Sequence, residues 1–381
     1  MKKVLILGST GSIGTQALDV IGRSVELQVV GLAAGSGWEA VVEQAREHGV
    51  PAIALADAEA AERARGGWSG RVLAGEEGIR ELTAASGADL VLNAIVGAAG
   101  LGSTIVALTE GIDVALANKE SLVLGGELVM ALAEATGARL LPVDSEHSAL
   151  FQLVNAEAPG TVEKLVLTAS GGPFRGREDL SGVSVADALA HPNWRMGGRI
   201  TVDCATLMNK GFEAIEAHHF FAVPYERIDV VVHPQSLIHS LIHLNDGSTL
   251  AHLGYPDMRV PISYALHYPD RADVEVPQLD LAAVGSLTFE RPDPDTFACL
   301  RLALEAGRAG GTAPCVLNAA DEVAVAAFLE ERIPFTAIPA VVERVLAEMP
   351  AQPVGHFDDL FAADAEARER SQGRIRELAP A

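Results

Sequence analysis

Short apolar runs alternate with stretches of helical spacing through the first 150 residues. The runs are Val4 to Leu7, Gln28 to Ala33, Ala52 to Leu55, Leu90 to Ala94, Asp113 to Ala117 and Arg139 to Val143, with helical pattern between them, as in Trp38 to His48. Strands covered on both faces read as near-continuous hydrophobic runs rather than alternating ones. The rhythm therefore predicts βαβ units in a mainly parallel, doubly wound sheet, a Rossmann-type domain over 1–144. Leu90 to Leu108 carries no charge and approaches the length of a bilayer span. Asn93, Gly97, Gly100, Gly102, Ser103 and Thr104 break it into strand, turn and helix, so we read it as sheet core and expect no membrane partner.

The pattern changes near Phe151. Glu163 to Ala169 and Ile228 to His233 read as strands, and Leu237 to Leu244 and Ser248 to Leu253 flank Asn245, Asp246 and Gly247, a hairpin signal. This predicts an α+β catalytic domain over 145–270, with a flexible lid and a sheet edge open to a second copy. Prolines and acids, including RPDPD at 291–295, mark 271–295 as a linker. Helical runs at Thr296 to Ala309, Pro314 to Glu331, Ile338 to Glu348 and Asp358 to Leu378 predict a C-terminal helical bundle over 296–381.

Charge narrows the partners. The 381 residues hold 28 cations against 51 acids, a net of −23, a field that opposes nucleic acid and anionic membrane and obliges any phosphorylated ligand to meet a local cluster of cations. Only five of the cations are lysines: Lys2, Lys3, Lys119, Lys164 and Lys210. Cys204, Cys299 and Cys315 show no ligand spacing, which suits a reducing, cytoplasmic setting.

Six stretches carry candidate chemistry. GSTGSIG, Gly8 to Gly14, follows the first strand and opens a helix, the setting in which glycines let a pyrophosphate reach a helix N-terminus. Its spacing differs from GxGxxG, and an ordinary glycine-rich turn is the alternative. The second strand runs into LAAGSG with no acid to hold a ribose 2′-hydroxyl, which favours NADPH over NADH. LPVDSEHSAL, Leu141 to Leu150, places Asp144 and Glu146 two residues apart after a strand, where i and i+2 share a face. Converging carboxylates suit a hard divalent ion, although a solvated loop carries such pairs too. In NKGFEAIEA, Asn209 and Glu213 lie one helical turn apart beside Lys210; Glu213 could complete an oxygen donor set, or the helix could be an amphipathic surface one. SGGPFRG and HPNWRMGG, bracketed by glycine and proline, suit a lid, with Trp194 packed on a neighbouring domain as the alternative.

Taken together, GSTGSIG, NAIVGAAGL, ALANKESLV, PVDSEHSA, SGGPF, HPNW, NKGFEAIEA and HPQSLIHS, in this order, resemble the 1-deoxy-D-xylulose 5-phosphate reductoisomerase family. The resemblance implies a metal-assisted skeletal rearrangement followed by reduction with NADPH, giving 2-C-methyl-D-erythritol 4-phosphate, in a cytoplasmic homodimer. It implies that Asp144, Glu146 and Glu213 ligate Mg²⁺, Mn²⁺ or Co²⁺, and that Lys119 and Ser145 contact the substrate. Ser170, Cys204, Asn209 and Lys210 would form the phosphate pocket, covered by His191 and Trp194. Thr10, Gly11, Ser12, Ile13, Gly35, Ser36, Gly37, Asn118, Glu120 and Gly197 would contact the cofactor. The chain departs from the family in having Cys204 where a serine is usual, and Ser36 and Gly37 where Lys and Asn are frequent near the 2′-phosphate. A thiol-dependent dehydrogenase and a nucleotide sensor without turnover stay open as competing readings. Four histidines, His233, His239, His243 and His252, could form a zinc site, but hairpin packing explains them more simply.

Overall fold

The computed structural model describes residues 1–194 and 196–378. In chain order the elements are β1 (Lys2–Leu7), α1 (Ser12–Gly22), β2 (Leu27–Ala34), α2 (Trp38–Glu47), β3 (Ala52–Leu55), α3 (Ala58–Gly67), β4 (Arg71–Ala74), α4 (Gly75–Ala85), β5 (Leu90–Asn93), α5 (Ala99–Thr109), β6 (Asp113–Leu116), α6 (Glu120–Thr136), β7 (Leu140–Pro142) and α7 (Ser145–Asn155). Then follow β8 (Val162–Ala169), α8 (Val185–Leu189), α9 (Gly198–Ala205), α10 (Met208–Phe221), β9 (Ile228–Val232), β10 (Ile238–Leu244), β11 (Thr249–Leu253) and α11 (Arg259–His267). A one-turn α12 (Leu281–Val284) leads to α13 (Ala298–Ala309), α14 (Ala313–Leu329), α15 (Ala337–Glu348) and α16 (Phe357–Leu378).

These residues group into two compact units. The first holds Met1–Ser121, Val129–Ser148 and Asp257–Val276. Its seven strands run parallel in the order β4-β3-β2-β1-β5-β6-β7. The chain winds outward from β1 in both directions, so the switch point, where open sheets bind ligands, lies between β1 and β5. Buried Val4, Leu5, Ile6, Leu7, Val91 and Leu92 form the middle of the core, the two-sided burial that the uninterrupted apolar runs foretell. The first four residues of Leu90 to Leu108 become β5, and the helix α5 follows the glycine turn. β4 has no counterpart among the expected strands: it is an edge strand of four residues beginning with a charged one, too short for a hydrophobic pattern. Asp257–Val276 packs with this sheet, α11 lying on α1 and against β6 and β7, whereas its sequence position had divided it between catalytic domain and linker.

The second unit holds Leu122–Leu128, Ala149–Pro256 and Pro277–Ala381. A four-stranded sheet in the order β11-β10-β8-β9 packs Leu165, Leu167 and Ile242 against Ala214 and Ala217 of α10. Helices α13 to α16 form the expected bundle. Gly211 of α10 faces α13 so closely that a Cβ there would lie 2.3 Å from the Ala303 methyl; this glycine lets two helix backbones approach.

On α10, His219 fills the space that Gly126 leaves, where a Cβ would lie 2.1 Å from the imidazole. Burial, with a smaller contribution from His218, lowers the His219 pKa to about 4. Unfolded chain takes up this proton below about pH 6.5 and folded chain does not until near pH 4, so folded stability falls as pH drops through that window. We expect His219→Gln to remove about 2 kcal/mol of the loss between pH 7 and 4, read as a shallower pH dependence of the urea midpoint; parallel curves for variant and parent would refute it.

Candidate active site

In the first unit the site begins at the turn after β1. Gly8 has φ +85°, and a Cβ on it would lie 2.5 Å from the Ala94 carbonyl oxygen at the end of β5. A Cβ on Gly14 would lie 2.3 Å from the Gly8 oxygen and 2.5 Å from Ser9 Cα. The turn is tied to β2 by Gly8 N and Ser9 N donating to the Ala33 oxygen at 2.8 and 2.9 Å, and to α2 by Gln44 donating to the Ser9 oxygen at 3.1 Å. Helix α1 starts at Ser12 after an extended Gly11 and has no side-chain cap. Its opening amides at Ser12, Ile13 and Gly14 thus stand at the switch point without an internal acceptor, the arrangement that receives a pyrophosphate. Thr10 lies next to Gly37, about 3.8 Å from where its Cβ would be, and nothing lies near a Cβ on Gly35.

The neighbouring crevice loops are knitted together by amides. Asn118 Nδ2 is 2.8 Å from the Ile95 oxygen, 2.9 Å from the Gly97 oxygen and 2.7 Å from Glu120 Oε2. Its Oδ1 accepts from Ser121 N at 3.0 Å and Ser121 Oγ at 2.6 Å. Asn93 Nδ2 donates to the Gly100 oxygen and to Thr104 Oγ1 at 2.9 and 2.8 Å. The side chain of Asn118 therefore holds two loops in register, and Glu120 is part of the same knot. Asn93, Thr104 and Ser121 were not singled out from the sequence as site residues; Asn93 and Thr104 stood out there only as polar breaks in an uncharged run.

At the end of β7 the geometry differs from the expected one. The strand stops at Pro142 and Glu146 lies in the first turn of α7, so strand alternation is not what directs the two carboxylates. Asp144 Oδ1 accepts from the amides of Glu146 at 3.1 Å and His147 at 3.3 Å, which makes it the cap of α7. Lys119 pairs with the other Asp144 oxygen, with both side chains largely buried. Ser145 Oγ donates to Glu146 Oε2 at 2.6 Å.

In the second unit, α10 presents Asn209, Lys210 and Glu213, all buried. Asn209 Nδ2 donates to Glu213 Oε1 at 2.6 Å, and Lys210 pairs with Glu213 Oε2. Ser170 Oγ stands 3.0 Å from His191 Nε2, and His191 Nδ1 accepts the amides of Asn193 and Trp194 at 3.2 and 3.0 Å. We assign the proton to Nε2, because Nδ1 is occupied as an acceptor. Burial lowers the His191 pKa, in keeping with a neutral ring. Ser170 Oγ also accepts from Gly172 N at 3.2 Å, which leaves its own proton to donate outward. Gly172 has φ +68° and its Cβ would lie 2.7 Å from the Cys204 oxygen, so the Ser170 loop rests on the end of α9. Trp194 is half-buried, and Asn193 ties its turn to the Pro234 oxygen at 2.6 Å and Ser236 Oγ at 2.8 Å. Gly197 is the extended N-cap of α9; Arg195, within HPNWRMGG, lies outside the described residues.

Burial pushes the Cys315 thiol to about 12 and the Cys299 thiol well above its usual range, so neither serves as a thiolate nucleophile. The histidines do not gather into a zinc site among the described residues. His233 uses Nδ1 on the Thr288 oxygen at 2.8 Å and Nε2 on Leu237 N at 3.2 Å, and His243 bonds Thr249 Oγ1 at 2.8 Å.

A parallel sheet with a glycine turn at its switch point defines a dinucleotide-binding α/β protein of the oxidoreductase type. The sequence matches the family models described as 1-deoxy-D-xylulose 5-phosphate reductoisomerase over residues 4–126 and the C-terminal domains of that protein over 140–221 and 253–370. The chain belongs to the 1-deoxy-D-xylulose 5-phosphate reductoisomerase family. It is 49% identical to the reductoisomerase of Microcystis aeruginosa, over 97% of both chains, and 50% identical to that of Symbiobacterium thermophilum, over 98% of both. Among solved structures, the Zymomonas mobilis reductoisomerase in complex with NADPH matches with TM-score 0.90 at 39% identity, over 99% of this chain and 100% of that one. A DOX-P reductoisomerase in complex with NADPH, fosmidomycin and magnesium matches with TM-score 0.94 at 39% identity, over 99% of both.

Because the atoms facing Gly14 are backbone, Gly14→Ala has no flexible neighbour to push aside. We expect the turn to shift and dinucleotide affinity to fall at least about fivefold, equivalent to the lower end of an overpacking penalty. Titration of the protein with NADPH, followed by nicotinamide fluorescence, measures it; an unchanged Kd would show that the turn does not hold the pyrophosphate.

Proposed function

We propose that this chain converts 1-deoxy-D-xylulose 5-phosphate to 2-C-methyl-D-erythritol 4-phosphate, using NADPH and a divalent metal ion. The observation that carries this is near-50% identity along almost the whole length to relatives of that name. The residue assignments rest on the motifs together with the geometry of each unit. Asp144, Glu146 and Glu213 are proposed as ligands: all are carboxylates, the donors a hard divalent ion prefers, and Asp144 and Glu213 each already face a lysine ammonium. When bound, the ion would polarise the substrate's vicinal oxygens, and NADPH would supply the hydride of the reduction.

The other roles follow from the chain's own groups. The opening amides of α1 would bind the pyrophosphate, with Thr10, Gly11, Ser12 and Ile13 around it, and Gly35, Ser36, Gly37 and Gly197 further along the cofactor. Absence of an acid after β2 favours NADPH over NADH. Asn118 and Glu120 would act mainly by holding the crevice loops. Lys119 and Ser145 would orient the substrate carbon chain. Ser170 can donate its hydroxyl to a phosphate oxygen because His191 and Gly172 occupy it as an acceptor; Lys210 supplies charge and Asn209 an amide, with Cys204 a weaker donor than serine. His191 and Trp194 would close over the phosphate and exclude water. In this reading 1–144 binds cofactor, 145–256 carries the chemistry, 277–295 links and 296–381 supports, with 257–276 packed on the cofactor sheet.

Incubation of the protein with 1-deoxy-D-xylulose 5-phosphate, NADPH and Mn²⁺ should consume the nicotinamide absorbance, and omission of metal should stop it. Glu213→Gln should abolish the metal-dependent turnover and leave NADPH binding intact. No substrate-dependent oxidation by the parent protein would refute the activity, and full activity in the variant would remove Glu213 from the ligands.

We further propose a cytoplasmic homodimer. No helix among the described residues is long and apolar enough to cross a membrane, and Cys204, Cys299 and Cys315 form no disulfide with one another. At one end of the four-stranded sheet β9 bonds to Glu290, whereas β11 at the other end pairs with no further strand among the described residues, and Leu250, Ala251 and His252 on it are half-buried. Light scattering should give twice the chain mass, and a single-chain mass at micromolar concentration would argue against this pairing.

A further inference from the structure

Helix α9 joins the pieces of the proposed phosphate pocket. Its end carries Cys204, the Ser170 loop rests on that end through Gly172, and the corner at Leu207, in the left-handed region at φ +61°, turns directly into α10 with Asn209 and Lys210. A non-glycine residue held at such a φ signals a corner fixed by its surroundings.

The opposite side of α9 is fixed to the C-terminal bundle by a largely buried set of charges, none of which the proposed chemistry uses. Arg199 Nη1 meets Glu322 Oε1 at 3.0 Å, and its Nη2 donates to Asn318 Oδ1 at 2.9 Å. The same guanidinium lies 3.6 Å from Asp203 and 3.8 Å from Asp321. Glu322 is shared in turn with Arg368 of α16 at 2.7 Å, and Arg368 also holds Asp364 at 2.7 Å. Asp203 and Asp321 are both buried. Burial and the nearby Asp203 hold the Asp321 carboxyl well above its usual range, which favours its neutral form beside a second buried acid. Arg199 thus reaches both helices, and its fork geometry satisfies several acceptors at once, which a point charge would not.

We propose that Arg199 is a positioning residue for substrate phosphate: by clamping α9 onto α14 it sets where Cys204, Asn209 and Lys210 stand relative to Ser170. This rests on the phosphate-pocket assignment above. A clamp of this kind acts on one ligand's subsite and leaves the cofactor turn alone, which gives it a kinetic signature.

The test is steady-state kinetics on the full-length protein with Mn²⁺, varying 1-deoxy-D-xylulose 5-phosphate and NADPH in turn. Arg199→Met should raise the KM for the sugar phosphate at least tenfold, with kcat within about threefold of the parent and the KM for NADPH unchanged. Arg199→Lys should recover part of this, with a KM three- to fivefold above the parent. Asp321→Asn, which replaces a protonated carboxyl by its neutral amide counterpart, should stay within twofold. An unchanged sugar-phosphate KM in folded Arg199→Met, or NADPH KM rising in the same proportion, would overturn the proposal. If Arg199→Met fails to fold, Arg199→Lys decides, and a parental KM there is the overturning result. An inactive parent protein would instead refute the proposed function itself, so the two failures are distinct.

Discussion

A carboxylate removed from water must be given a cation, a proton or several donors, and that requirement organises this strongly acidic chain. Its surface acids need nothing, but three of its largely buried ones have defined partners. Asp144 has Lys119 and the amides of α7; Glu213 has Lys210 and Asn209; Glu322 has two arginines. Leaving any of these cations in place while deleting its acid, or the reverse, strands a buried charge at a cost of several kcal/mol. The scarcity of lysine makes the pattern sharper. Two of only five lysines sit against carboxylates assigned to the metal, where a compact ammonium can neutralise an acid without enclosing it as a guanidinium fork would.

Neutral groups do the corresponding work around the cofactor turn. There the backbone itself is the binding surface, and glycines at 8 and 14 are required by contacts to other backbone atoms. Asn118 and Asn93 stand behind that surface. Their amides replace the hydrogen bonds that the chain forgoes where it leaves β5 and β6, and so keep the crevice loops from relaxing into it.

The parallel sheet was legible because burial on both faces erases alternation, so Val4 to Leu7 reads as interior strand, and Leu90 to Asn93 does so once the glycines that follow set aside a bilayer span. β4 escaped because a four-residue edge strand starting at Arg71 has no such signature. The position of the Asp144–Glu146 pair was legible but its cause was not: a run read through to Val143 gave no sign that the strand would stop at Pro142 and that Asp144 would cap a helix. His191 was found through its motif, while its Nε2 proton and the resulting free proton on Ser170 emerge only when Asn193, Trp194 and Gly172 are in place. Arg199, Asp203 and Asp321 carried no local signal at all. They become a group only when α9 meets α14 across more than a hundred residues of sequence.

The contact at Gly211 sets a tolerance for the whole of α10. Where two helices meet through side chains, their separation can drift with the rotamers between them; where they meet as glycine on alanine, it is fixed by backbone thickness. Asn209, Lys210 and Glu213 therefore inherit their position from α13 as from a machined stop. The side chain at residue 303 therefore bears, through packing alone, on where the proposed ligand groups of α10 stand.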